Sequence, residues 1–255
     1  MSDDGDRVEA LNASKLGTKE YWDDFYAVEK GNFDEHSSDE GEVWFSDADA
    51  EEKMVEFVEE HTASSAEAVC GEFPFCREST TVLDLGTGNG HLIFELRQTA
   101  GLGGRLVGVD YSEQSVAFAQ QVLQKRARES DGLDDIAFVH EDFLAEQFAP
   151  SRAANGGVAY DLVVDKGTLD AIALSSETVR DGKTGVQLYP YVVRDGALKV
   201  GGVLLVTSCN FTQAELVRLV AVDGLVVWKT VDYPVFEFGG VSGQKVCTVA
   251  FKRVA

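Results

Sequence analysis

The run Val82–Gly90, VLDLGTGNG, and the stretch LVGVD that ends at Asp110, twenty residues beyond Gly90, constrain this chain more than any other feature. Thr81 to Leu85 is apolar and β-branched, as a buried parallel strand requires, and Gly86, Gly88 and Gly90 follow where that strand must turn into a helix. Glycine is needed there because a Cβ would block both the backbone angles of the turn and the close approach of a ligand. In a doubly wound sheet the tip of the second strand lies beside this turn. A carboxylate at that tip, here Asp110, accepts hydrogen bonds from both hydroxyls of a ribose.

Two adenosyl ligands fit this first unit. Dinucleotide enzymes usually show G-x-G-x-x-G, with the helix N-terminus facing a pyrophosphate. Here the spacing is G-x-G-x-G, and Asp84 stands two residues before the first glycine, in place to orient the loop and reach the amino end of a methionine moiety. The spacing therefore favours S-adenosylmethionine, held by Asp84, Gly86, Thr87, Gly88, Asn89, Gly90 and Asp110 with Tyr111 beside it. A glycine loop that binds nothing is the bland alternative.

At 255 residues, 44% of them hydrophobic, the chain can bury a full core, and one domain is expected. No apolar run approaches ~20 residues, so no membrane span is expected. The opening MSDDGDRVEALNASK fits neither a secretory nor a transit peptide, which points to a cytoplasmic or nuclear protein. Cys70, Cys76, Cys209 and Cys247 form no C-x-x-C pair, and His36, His61, His91 and His140 lack ligand spacing, so no metal is expected. The net charge is −22, and residues 1–62 hold 20 acidic and 5 basic side chains, or −15 of it. That field repels nucleic acid and attracts a basic protein, although acidity for solubility alone reads the same way.

Residues 1–13 read as a disordered acidic tail and 14–62 as an N-terminal cap or lid anchored by Leu16, Tyr21, Trp22, Phe25 and Tyr26, with residues 63–255 forming the core. Within the cap, Ser46 or Asp47 is expected to cap a helix running to His61. Strands are expected at 80–85, 105–110, 136–140, 160–165 and 203–208, alternating with helices, followed by a terminal pair at 225–232 and 245–253. Such alternation implies an α/β, doubly wound, mostly parallel seven-stranded Rossmann-like sheet with an antiparallel edge strand.

Ligands of open α/β sheets bind beyond the carboxyl ends of the strands. By that rule Asp142 accepts from an adenine amino group while Phe143 packs on the ring, or Asp142 merely caps the next turn. Asp165 ends the fourth strand beside the methyl position and either orients an acceptor amine or caps the turn Lys166-Gly167-Thr168. Trp44, with Trp22 behind it, is the candidate lid aromatic for a partly cationic nitrogen, with core packing as its rival role.

The words SKLGTKEYWD from Ser14, GEVWF from Gly41, DKGTLDAI from Asp165, SCNFT from Ser208 and FGG-x-SG from Phe238 resemble those of the eukaryotic protein-lysine methyltransferases that act on translation elongation factor 1-alpha. The likeness is to the fungal branch related to human methyltransferase-like protein 10 and runs from about residue 14 to 253. It implies the seven-stranded class I methyltransferase fold, S-adenosylmethionine as cofactor, and a monomer that methylates a lysine of elongation factor 1-alpha, a basic protein complementary to an acidic enzyme. Segments 66–78 and 148–157 are extra length relative to that family. Two other functions stay open: methylation of a small metabolite, which needs a deep closed acceptor pocket, and a non-catalytic module for a basic partner, which needs no intact cofactor site. Methylation of adenine or glutamine amino groups usually requires Asn/Asp-Pro-Pro-Tyr after the fourth strand, where this chain reads Asp165-Lys166-Gly167-Thr168.

Overall fold

A computed structural model describes residues 8–234, 236–238 and 241–255. Its centre is a seven-stranded sheet: β1 (Val82–Leu85), β2 (Leu106–Asp110), β3 (Ile136–His140), β4 (Tyr160–Lys166), β5 (Leu198–Ser208), β6 (Leu225–Val231) and β7 (Cys247–Arg253). The spatial order is β6-β7-β5-β4-β1-β2-β3. All neighbours pair in parallel except β7, which runs antiparallel to both β5 and β6. The terminal pair thus forms the antiparallel edge of the sheet, with β6 at the rim and β7 one place in. Cys247 to Phe251 are all buried and need a strand on each side, whereas β6, half exposed along its length, tolerates the rim.

Side chains alternate between two cores, one on each face of the sheet. Val82, Leu106, Leu162 and Val164 face the first, with helices α1 (Lys19–Glu35), α2 (Ala50–Glu60), α3 (His91–Gln98) and α4 (Glu113–Glu129). Leu83, Leu85, Val163 and Val206 face the second, covered by α5 (Phe143–Glu146), α6 (Ala149–Ala154), α7 (Thr168–Ala173), α8 (Gly185–Val192) and α9 (Gln213–Val220). Ser112 caps α4 by accepting from Ser115 N, and Thr212 and Glu215 form a capping box on α9.

The N-terminal segment differs from its reading. Residues 1–7 of the expected tail lie outside the described residues, while Val8 and Leu11 pack half-buried against the second core. Neither Ser46 nor Asp47 caps α2. Both lie in a 3-10 turn (Ser46–Ala48), and Asp47 instead pairs with Lys245, 2.8 Å away. The helix starts from Asp49 in a left-handed conformation (φ 51°), a shape Asx residues tolerate. Of the two extra segments, 66–78 adds the short pairing of Phe75–Cys76 with Thr62–Ala63, and 148–157 forms α6 on the second face. There Ser151 N donates to Glu141 Oε2 at 2.9 Å and Tyr160 donates to Ser151 O at 2.7 Å.

Candidate active site

The glycine turn leaves β1 with three left-handed residues, Gly86 (φ 65°), Gly88 (φ 57°) and Gly90 (φ 82°), and each is covered by a different element. A Cβ on Gly86 would lie 2.1 Å from Thr168 Oγ1, one on Gly88 2.4 Å from the Tyr26 hydroxyl, and one on Gly90 2.5 Å from the Phe138 ring. Asp110 braces the turn from the end of β2. Its Oδ2 accepts from Gly88 N at 3.1 Å, its Oδ1 accepts from Ser112 N at 2.9 Å, and Ser115 Oγ donates to Gly88 O at 2.8 Å. Burial raises its pKa, against the pull of these hydrogen bonds.

Asp84, 3% exposed, is pushed up to about 7. Burial dominates; the Thr87 hydroxyl and the Lys166 charge oppose it, and the Glu51 and Asp165 charges add to it. The cation that acts on Asp84, Lys166, is already committed to Glu51 at 2.7 Å. The buried carboxylates around the turn are therefore short of positive charge, and S-adenosylmethionine, carrying an ammonium and a sulfonium, fits that deficit. Asp84 would take the amino end and Asp110 the ribose.

Towards the adenine side, Tyr111 is half-buried, with Lys19 Nζ 5.9 Å from its ring centre and its carbonyl 3.1 Å from His140 Nε2. Asp142 Oδ1 accepts from Leu144 N (3.1 Å) and Ala145 N (3.3 Å), the geometry of a helix cap. Phe143 lies in the second core, its ring stacked 5.2 Å from Phe148.

A strap between α1 and α2 closes over the turn. Asn89 Nδ2 donates to Glu40 O (2.9 Å) and Glu42 O (3.3 Å), and the Glu40 carboxylate takes Lys125 (2.9 Å) and Arg126 (2.6 Å). Lys166 Nζ donates to Trp44 O at 3.1 Å. Glu51 of α2 pairs with His91 as well as Lys166; burial lifts its pKa, but the His91 hydrogen bond and the Lys166 charge outweigh burial and hold it below the usual range. Asn89→Ala removes the only side chain of the turn that reaches the strap. We expect amide exchange across residues 36–45 to quicken about tenfold, the scale of one lost buried hydrogen bond, while the rest of the chain is unchanged.

Asp165 and Asp84 end neighbouring strands but face opposite sides of the sheet. Asp165 shares its face with Val163, so its carboxylate enters the second core. There Tyr189 donates to Oδ2 at 2.6 Å, and Thr168 N (2.8 Å) and Leu169 N (3.2 Å) donate to Oδ1. It is fully buried, and burial is the main reason its pKa rises to about 7. Of the two roles read for it, these bonds are those of the turn cap. Asp170, one turn on, accepts from Ser208 Oγ and from Cys209 N, tying α7 to the end of β5.

Residues 77–240 match the methyltransferase domain family. Over 244 residues the chain is 45% identical to the protein-lysine N-methyltransferase EFM4 of Saccharomyces cerevisiae, covering 95% of this chain and 96% of that one. This chain belongs to the protein-lysine N-methyltransferases. It is also 31% identical over 242 residues to EEF1A lysine methyltransferase 2 of Homo sapiens, covering 94% and 88% of the two chains. A Haloferax volcanii methyltransferase solved with its Trm112 activator superposes with a TM-score of 0.50 at 17% identity, covering 93% of this chain and 97% of that one, and shows the fold. The cofactor of this methyltransferase is S-adenosylmethionine.

Sequence reasoning missed Tyr26, Glu51, His91 and Lys166 as parts of this site. Alternation along β4 could have found Lys166, which follows Val164 on the Asp84 face. Nothing local marks Glu51, since it is one of several glutamates on α2.

Proposed function

We propose that this methyltransferase transfers methyl groups to a lysine side-chain nitrogen of translation elongation factor 1-alpha, acting as a monomer in the cytoplasm. The observation that carries this reading is the near full-length likeness to relatives named for that substrate in human, mouse and zebrafish. The charge of −22, concentrated in the segment that forms the cap, supports a basic protein partner.

The bound cofactor supplies an electrophilic methyl group on its sulfonium. What the chain must do is align an amine with that methyl and strip its proton, because a lysine amine with pKa ~10.4 arrives charged. Phe45 stands at the Gly167 turn, its ring 3.0 Å from the Cβ position of Gly167, while the Trp44 ring packs on Trp22 and Phe25 behind it. An apolar ring at this turn excludes water from the amine, which favours its neutral form. Asp165 serves by holding the turn rather than by touching the amine. Beyond the end of β5, where Asp170 binds Ser208 and Cys209, an open hollow of about 450 Å³ lies between Cys209–Thr212 and Gly243–Cys247.

Incubation with radiolabelled cofactor and purified elongation factor 1-alpha should label one or more lysines, located by mass spectrometry. No transfer, under conditions where calorimetry shows the cofactor bound, would refute the substrate.

A further inference from the structure

Phe45 reaches the Gly167 turn in a strained backbone shape. Its φ is 65°, in the left-handed region that a bulky side chain keeps only where its surroundings enforce it. The bend leads from Trp44 into the 3-10 turn Ser46–Ala48 and leaves the Phe45 ring 3.0 Å from the Cβ position of Gly167. The peptide that joins Trp44 to Phe45 sets this angle, so whatever grips that peptide decides where the ring stands.

Lys166 supplies the grip. It stands directly before Gly167 on the Asp84 face of β4, and its Nζ donates to Trp44 O, the carbonyl of that peptide, at 3.1 Å. A lysine is a point charge on a flexible stem, and one hydrogen bond does not fix it. Here Glu51 Oε2 also takes the ammonium, at 2.7 Å, with the two side chains only 12% and 7% exposed. The other oxygen of Glu51 is taken by His91, the first residue of α3. One carboxylate of α2 thus ties the residue after Gly90 to the residue before Gly167, and through Lys166 it reaches the strained peptide. A buried ion pair seldom stabilises a fold more than apolar groups of the same volume would, so its presence here points to the choice of one conformation. The Trp44 ring, packed on Trp22 (5.5 Å) and Phe25 (5.7 Å), anchors the same peptide in the cap.

We infer that Glu51 and Lys166 are positioning residues for methyl transfer: together they hold the Trp44–Phe45 peptide in its left-handed form and so seat the Phe45 ring at the acceptor turn. The inference rests on the reading of the Gly167 turn as the side from which the amine approaches. Both residues act through Phe45 rather than on the amine itself.

The test joins amide exchange of the full-length protein with methyl-transfer kinetics on purified elongation factor 1-alpha at saturating S-adenosylmethionine. Lys166→Met removes the donor and keeps an apolar stem of similar length. Exchange over residues 43–48 should quicken about tenfold, the scale of one hydrogen bond from a charged group, while the strands of the sheet exchange as in the wild type. The kcat should fall about tenfold as the ring leaves its place, and Lys166→Arg, which keeps charge and donors, should recover most of it. Glu51→Gln should act in the same direction, and the double variant should lose little more than either single one. If a single variant fails to fold, the double variant Glu51→Gln/Lys166→Met, which leaves neither charge buried alone, carries both readouts. Quicker exchange with kcat unchanged overturns the inference. So does exchange over 43–48 that stays unchanged or quickens no more than in the sheet, or a double variant whose loss is the product of the single losses. If the wild type transfers no methyl group, the substrate assignment falls by itself. The exchange arm then decides the hold on Phe45, which local quickening upholds and unchanged exchange overturns.

Discussion

Asp110→Ala is expected to weaken cofactor binding by roughly a hundredfold or more, since two charge-assisted hydrogen bonds to the ribose disappear together. The same carboxylate accepts from Gly88 N and Ser112 N, so the substitution also strands two buried N–H groups inside the turn. Each costs about 1–3 kcal/mol, and the melting temperature of the cofactor-free protein should fall as well. Asp110→Asn retains one acceptor oxygen and should lie between the two. Calorimetry and thermal unfolding measure the two effects separately; unchanged affinity in Asp110→Ala would overturn the ribose assignment.

Asp165→Ala should be the most destabilising single change in the site, at about 3–5 kcal/mol. It leaves the Tyr189 hydroxyl and the N–H groups of Thr168 and Leu169 buried without an acceptor. Asp165→Asn, which keeps an acceptor for the backbone and a donor for the tyrosine oxygen, should fold and retain kcat within a few-fold. A collapse of kcat in a stable Asp165→Asn protein would instead assign Asp165 to the amine. The pH dependence has a definite sign. With a folded pKa of about 7 against 3.8, the native state holds the proton more tightly than the unfolded chain. The contribution of Asp165 to stability is therefore full below pH 3.8 and is lost as pH rises through about 7. Asp165→Asn should flatten that slope, as read from urea midpoints at pH 5 and pH 8.

Much of the fold was legible because the signals are local. Apolar runs marked all seven strands, and the glycine spacing marked the turn. Position along a strand left two roles open at Asp165 and at Asp142, and direction separates them. The period-two alternation that puts Val82 and Leu83 on different faces sends Asp165 into the second core, where it caps the turn. Beyond the end of β3, Asp142 makes the capping bonds of the short helix α5 and Phe143 stacks on Phe148.

The amino-acid sequence by itself determined that this chain builds a seven-stranded sheet and a glycine turn with Asp84 and Asp110 on either side, because strand, turn and helix preferences act over a few residues. Only the tertiary structure decided what covers that turn. The contacts of Asn89 with Glu40, Glu51 with His91, and Lys166 with Trp44 join residues 49, 40 and 122 positions apart. Nothing local distinguishes those glutamates from their exposed neighbours. Their roles arise when packing of the α1 aromatics against the first core carries the cap over the turn, and burial there makes each polar group find its partner.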